Sequence, residues 1–395
     1  MSSLLSQQIQ PFHVMELVKA ADQLAQQGRS VLHLSIGEPD FGPPKAVLHA
    51  FQTALQEGKT GYTSALGLWP LRAAVAQHYQ DSFGVKVRPE QVVITGGASA
   101  ALQYACLALI NPGDEVLITD PGYPCNKTFV QTASGVPVAI NTQEALNFEP
   151  DVGALHHAWG ARTRGALLAS PNNPTGTRLS EGRLADVVEL IKQRQGFLIM
   201  DEIYQQLSHD GPARSIVQTT GAPDDSWPLM VVNSFSKFFG MTGLRLGWLL
   251  APMNMISTLE KLAQNLAICP STPAQWAALA CFTPESLAEC EARRLEFQAR
   301  RDWLLVNLHR AGMTVRSKPD SAFYVYTRVP SPWAGRSDEY CQALLNEEGV
   351  CTVPGKDFSP ENGHSMVRLS YANSLNTLQE CIGRMERFYA RHSQP

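Results

Sequence analysis

The sequence predicts an α/β protein, with a large domain built on a mostly parallel sheet flanked by helices and a smaller α+β domain. Three observations carry this. The chain has 395 residues, more than the roughly 250–300 at which a single hydrophobic core stops growing. From Val92 onward short apolar runs alternate with helical stretches, the pattern of a parallel sheet covered on both faces. After Thr283-Pro284 that alternation gives way to a long charged helical segment and two further strand-like runs.

In chain order, Val14, Leu17, Val18, Ala21 and Leu24 recur at helical spacing, which predicts an amphipathic helix over 14–27 ending near Gly28. The runs 92–94, 116–118, 166–169, 197–200, 230–232 and 248–251 are continuously apolar and end in polar or turn residues, as buried strands do. The densest turn chemistry follows them, at Gly96-Gly97, Asp120-Pro121-Gly122 and Asn172-Asn173-Pro174-Thr175-Gly176. A helix is expected from Glu285 to about Ala311, then strands at 323–326 and 366–370. A boundary near residue 285 divides the chain into a large domain, 46–285, and a small domain formed by 1–45 and 286–395.

Composition narrows the function. With 44% hydrophobic and 17% charged residues, 29 Gly, 26 Pro and a net charge of −4, the chain fits an ordinary soluble protein. It shows no electrostatic footprint for nucleic acid or an anionic membrane. The first residues, from Met1 to Gln8, carry no leader pattern and no apolar stretch reaches membrane-span length, so a cytoplasmic protein is expected. Eight scattered cysteines read as free, mostly packed thiols. Ten histidines, among them His156-His157, form no metal-ligand motif, so no metal site is expected, and no G-x-S-x-G elbow occurs.

Lys237, in Ser234-Phe235-Ser236-Lys237, sits just past a strand's carboxyl end, where ligands gather in open α/β sheets. Lysine becomes a nucleophile only when its pKa is lowered, and the nearby Arg245 would push that way; taken alone, however, Lys237 reads first as a solvated loop lysine, since most lysines are exposed. Gly96-Gly97-Ala98-Ser99 precedes a helix expected from Ala100, the geometry of a phosphate site or of a plain turn. Tyr123, held between Pro121 and Pro124, suits stacking on a planar heterocycle, though most tyrosines simply pack. Asp201 ends a strand where an unpaired carboxylate is costly; a pyridinium nitrogen would supply its partner, and Tyr204 could donate to a phenolic oxygen on the same ring.

These motifs stand in order with Ser35-Ile36-Gly37-Glu38-Pro39-Asp40-Phe41, Gly61-Tyr62-Thr63 and Val367-Arg368-Leu369-Ser370-Tyr371-Ala372. Nearly the whole chain thereby resembles the fold-type-I pyridoxal-phosphate enzymes and, among them, the class I aminotransferases related to aspartate aminotransferase. The resemblance implies that pyridoxal 5′-phosphate is bound, with Lys237 forming the internal aldimine and shuttling the substrate's α-proton. It implies that Asp201 keeps the ring nitrogen protonated, that Tyr204 and Asn173 meet the ring hydroxyl oxygen, and that Tyr123 stacks on the ring. Gly97, Ala98, Ser99, Ser234 and Arg245 would hold the phosphate, joined by Tyr62 from the other subunit of a homodimer. Arg368 would grip the substrate carboxylate, and Gly37 and Asn173 would also lie against substrate.

The implied reaction moves an amino group from an L-amino acid to a 2-oxo acid by a ping-pong route. The alternatives are a C–S β-lyase of the same fold and a non-catalytic regulator; the regulator would need a DNA reader, for which little chain precedes the family-like region. Relatives selecting dicarboxylates often carry a lysine in the phosphate turn, whereas Gly97-Ala98-Ser99-Ala100 has no charge. An apolar or small amino acid is therefore expected as readily as aspartate. Ser321-Ala322-Phe323-Tyr324 departs from the glycine usual at its start, and Ser271-Thr272-Pro273 is expected near the partner's site.

Overall fold

The computed structural model describes residues 3, 6, 7, 9 and 13–393; most of the stretch from Met1 to Gln8, where no leader is expected, lies outside them. Twelve strands are present among them: β1 (Leu32–His33), β2 (Val92–Thr95), β3 (Glu115–Asp120), β4 (Val136–Asn141), β5 (Thr163–Ala169), β6 (Phe197–Asp201), β7 (Leu229–Ser234), β8 (Gly247–Leu250), β9 (Tyr324–Arg328), β10 (Val350–Cys351), β11 (Val353–Pro354) and β12 (Met366–Ser370).

Seven of these form one sheet in the order β2-β8-β7-β6-β5-β3-β4. All its pairings are parallel except the two made by β8. Alternate residues of the central strands enter different hydrophobic clusters: Leu198, Met200, Leu229 and Val231 belong to one, while Phe197, Ile199, Met230 and Val232 belong to the other. A side-chain period of two with both faces covered explains why these strands read as unbroken apolar runs. β4 carries no continuous apolar run, because Pro137 and polar neighbours interrupt it. It lies at the sheet edge, where proline is tolerated.

The helix expected over 14–27 spans His13–Gln26. Its Leu17 and Ala21 share a third cluster with Phe297, Leu304, Tyr324, Leu369 and Phe388, so the two ends of the chain pack together. Close to expectation, Pro284–Asn307 is one helix followed by a 3₁₀ turn, Leu308–Ala311. It starts with Pro284 in the first turn and with the Thr283 side chain accepting the Ser286 N–H, two features that favour a helix start. β9, β12 and β11 form a three-stranded antiparallel sheet, and β1 pairs in parallel with β10.

Gly176 ties the loop after β5 to the segment leading into β9. Its carbonyl accepts the Ser321 N–H at 2.9 Å. Its φ is +68°, and an added Cβ would strike the Tyr324 carbonyl oxygen. Gly176→Ala is expected to lower stability by about 1–3 kcal/mol in urea titrations. Gly182→Ala, at a helical position with open space, should instead be neutral or stabilising by up to ~1 kcal/mol.

Candidate active site

The carboxyl ends of the parallel strands define one rim of the large sheet. β6 ends there with Asp201, β7 leads through Ser234 to Lys237, and β5 leads to the loop containing Asn173. Because β8 runs the other way, its first residue lies at the same rim and brings Arg245 there from the preceding turn. Against this rim opens a cavity of about 830 Å³, within the usual range of roughly 300–1,000 Å³ for ligand pockets. Gly37, Ala98, Ser99, Tyr123, Asn173, Asp201, Tyr204, Ser234, Lys237, Arg245 and Arg368 all line it. Gly97 lies just behind, and Tyr62 stands on the surface, 87% exposed.

The Lys237 amine donates to the Gly37 carbonyl at 2.6 Å. Its pKa is lowered to about 8, chiefly by burial; Glu38 opposes the shift, and Arg368 and Arg245 add to it. Arg245 therefore contributes as the sequence suggested, but desolvation of the ammonium is the larger cause. Gly37 is confined here too, since a Cβ would lie 3.3 Å from the Tyr324 hydroxyl.

Asp201 is 3% exposed, and burial raises its pKa to about 7, against the pull of the Ile203 N–H and of Lys237. Oδ1 accepts the Ile203 N–H at 3.1 Å. Among the described residues no cation reaches ion-pair distance of this carboxylate. Such an arrangement suits a protonated heterocyclic nitrogen entering from the cavity. Beside it the Tyr204 and Tyr324 hydroxyls are 2.9 Å apart with their rings edge to face. Tyr204 thus has a protein partner that the sequence did not suggest. In the sequence Tyr324 stands out only as part of a strand, and no spacing links it to Tyr204.

The helix Ala98–Leu109 starts two residues before the expected Ala100, with Gly97 at its N-cap, φ +90° and no side-chain cap. Such an end leaves backbone N–H groups without partners. A Cβ on Gly97 would sit 2.6 Å from Nη2 of Arg245, so glycine allows the guanidinium to lie over the helix start. Uncapped N–H groups, a helix dipole and an arginine together fit a phosphate dianion. Ser234 lines this region, but its hydroxyl donates to the Leu246 carbonyl at 3.2 Å and accepts the Ser236 N–H at 3.0 Å. The Ser236 hydroxyl, passed over in the sequence, also lines the cavity and hydrogen-bonds no described residue.

Across the cavity, on β12, Arg368 is 6% exposed. Nη1 donates to Oδ1 of Asn173 at 3.0 Å and Nη2 to the Ser35 carbonyl at 2.7 Å; Nε has no partner. Since guanidinium has no acceptor, this contact fixes which end of the Asn173 amide faces it and leaves the –NH₂ as donor. The rings of Tyr324 and Phe358 flank the cation at 4.4 and 4.9 Å. No described carboxylate pairs with it, so a buried cation with unused donors faces the cavity.

The aminotransferase class I and II family profile matches residues 29–385. The chain belongs to this family. A valine–pyruvate aminotransferase of Mycobacterium tuberculosis is 37% identical over 377 residues, spanning 95% of this chain and 96% of the relative. An aspartate aminotransferase of Thermotoga maritima is 32% identical over 374 residues, 95% of each. Among solved structures, an aminotransferase from Mycobacterium tuberculosis superposes with a TM-score of 0.94 at 35% identity over the full length of both chains. The Thermus thermophilus aspartate aminotransferase with maleate gives 0.90 at 34% identity, covering 98% and 99%. The chain is a fold-type-I aminotransferase, and its cofactor is pyridoxal phosphate. The cavity suits that group at three points: the bare helix start with Arg245, the unpaired Asp201, and the amine of Lys237.

With a pKa near 8 rather than 10.5, attachment of added pyridoxal phosphate to Lys237 of the cofactor-free protein should follow the neutral amine. Its rate is expected to rise about tenfold per pH unit below pH 8 and to level above it. Borohydride trapping followed by peptide mass spectrometry measures this.

Proposed function

We propose that Lys237 is the cofactor's covalent anchor and the base that would take the proton from the substrate α-carbon onto Nζ and hand it to C4′ of the cofactor. When bound, the cofactor supplies an electron sink for the pair left as the α-bond breaks. In this reading Asp201 holds the ring nitrogen protonated, Tyr123 stacks on the ring, and Tyr204 and Asn173 donate toward its hydroxyl oxygen. Gly97, Ala98, Ser99, Ser234 and Arg245 hold the phosphate, with Ser236 added to the set. Arg368 takes the substrate carboxylate with its planar fork, beside Gly37 and Asn173. The observation that carries the reading is Arg368 itself: a buried guanidinium without a carboxylate partner shares a cavity with a lysine whose pKa is about 8.

The same reading makes the working unit a homodimer in which Tyr62 completes the partner's phosphate site. Supporting it, Tyr62 is exposed together with Trp69, Leu266 and Ile268. The segments carrying them are joined where Thr272 Oγ1 donates to the Gly61 carbonyl at 2.6 Å, which also keeps Ser271-Thr272-Pro273 at this surface. Residues 46–285 are taken as the large domain and 1–45 with 286–395 as the small one, in line with the shared packing of both chain ends. No described helix is long and apolar enough to cross a membrane, and we place the enzyme in the cytoplasm.

The donor we infer is an L-amino acid with an uncharged, apolar side chain. Lys237, Arg245 and Arg368 are the lysines and arginines lining the cavity, and all three have roles above; Asp22 and Glu38 line it as well. A second substrate carboxylate would meet negative charge. The valine–pyruvate relative supports this choice.

Titrating the purified holoenzyme with single L-amino acids and no acceptor tests the reaction class. Transamination yields one equivalent of 2-oxo acid per site and leaves the cofactor in its amine form; continuous release of pyruvate and ammonia would instead indicate a β-lyase. Apolar donors should exceed aspartate in kcat/KM by about tenfold or more, and Arg368→Lys should lower kcat/KM by about 100-fold for every donor, through loss of the bidentate contact.

A further inference from the structure

The helix His13–Gln26 presents the stripe Val14, Val18 and Asp22, together with Met15, to the cavity. Its other stripe, Leu17 and Ala21, is buried in the cluster that joins the chain ends. Among the described residues, one carboxylate bonds the backbone at the start of this helix, 343 residues away in sequence from Val14. Asp357 Oδ1 accepts the His13 N–H at 2.9 Å and Oδ2 accepts the Val14 N–H at 2.8 Å. Both donors are first-turn N–H groups that no helix can satisfy internally, and a carboxylate there is also favoured by the helix dipole. Asp357 lies at the end of a 3₁₀ turn, Gly355–Asp357, and itself lines the cavity. The next residue, Phe358, has its ring centroid 4.9 Å from the Arg368 guanidinium carbon and packs with Val14 in a small cluster that includes Tyr326 and Val353.

We propose that Asp357 is a positioning residue for substrate selection. It latches the amino end of this helix to the segment beside Arg368, so that Val14, Met15 and Val18 form the wall against which the donor's side chain packs. The inference rests on the placement of the substrate carboxylate at Arg368 proposed above. Since Phe358 touches both Arg368 and the Val14 cluster, the carboxylate grip and the apolar wall are set by adjoining residues. The wall therefore stands at a fixed offset from the α-carbon and measures side-chain size. Asp22, at the far end of the stripe, turns away a terminal carboxylate.

The test compares Asp357→Ala, which removes both acceptors, and Asp357→Asn, which keeps one acceptor and sets an amide donor against the other N–H. Two readouts are taken on the holoenzymes: hydrogen–deuterium exchange of peptides covering 13–26, and kcat/KM for L-alanine, L-valine and L-leucine. The latch predicts at least tenfold faster exchange in this helix alone. It also predicts kcat/KM for valine and leucine lowered about tenfold, mainly through KM, with alanine changed less than about twofold and the bound-cofactor absorbance unchanged. Unchanged exchange, or equal loss for all three donors, would overturn it. Should Asp357→Ala fail to fold, Met15→Ala and Val18→Ala keep the wall testable: each should produce the side-chain-selective loss without faster exchange, and equal effects on alanine would count against the wall. If the wild-type protein forms no 2-oxo acid from any donor, the functional reading fails separately, and the exchange measurement alone decides the latch.

Discussion

Asp201 is a buried carboxylate that no described cation neutralises, and the site is organised around that unmet demand. Its cause lies in the strand that carries it. β6 is central in the sheet and apolar on both faces, so its last residue emerges at the rim already desolvated. Lys237 is near enough to lower the Asp201 pKa, yet the amine bonds the Gly37 carbonyl instead of the carboxylate. Had the two formed a tight pair, each would have stabilised the other's charge. The lysine would then be a poor nucleophile and the aspartate unavailable to a ring nitrogen. Keeping them apart lowers stability locally and preserves both reactive forms, as is common where a site stores unfavourable electrostatics for function.

The sheet topology supplies the opposite end of the charge arrangement. One reversed strand, β8, delivers Arg245 to the rim that the parallel strands approach from the other direction. Gly97 lets that arginine cover the helix start. The small antiparallel sheet brings Arg368 and Tyr324 to the other side, and the loop 170–176 joins the two sides through Asn173 and Gly176. The cavity thus carries one guanidinium from each side, with the lysine and aspartate lining it as well; in the proposed reading one would take a phosphate and the other a carboxylate.

Much of this was legible in the sequence. The central strands were visible because burial on both faces makes them continuously apolar, and Lys237, Asp201, Asn173 and Arg368 were visible because each sits in an ordered motif. What stayed hidden depends on long-range contact. The Tyr204–Tyr324 hydrogen bond joins residues 120 apart, and Asp357 reaches its helix across more than 340; local pattern carries no trace of either. The edge strand β4 was hidden for the opposite reason, since exposure and a proline erase the apolar signal. The start of the helix at Ala98 was misplaced by two residues because Gly97, with no side chain to cap it, leaves no N-cap signature. Ser236 was passed over because nothing in Ser234-Phe235-Ser236 tells which hydroxyl the backbone engages.

The central claim is that Asp201 reserves its charge for the cofactor ring. Nitrogen-15 NMR of holoenzyme loaded with ring-labelled pyridoxal phosphate tests it most directly. The account predicts a ring nitrogen that is protonated at pH 8 in the wild-type protein and loses that proton in Asp201→Asn. A neutral ring nitrogen in the wild type, or one whose protonation does not change in Asp201→Asn, would contradict it.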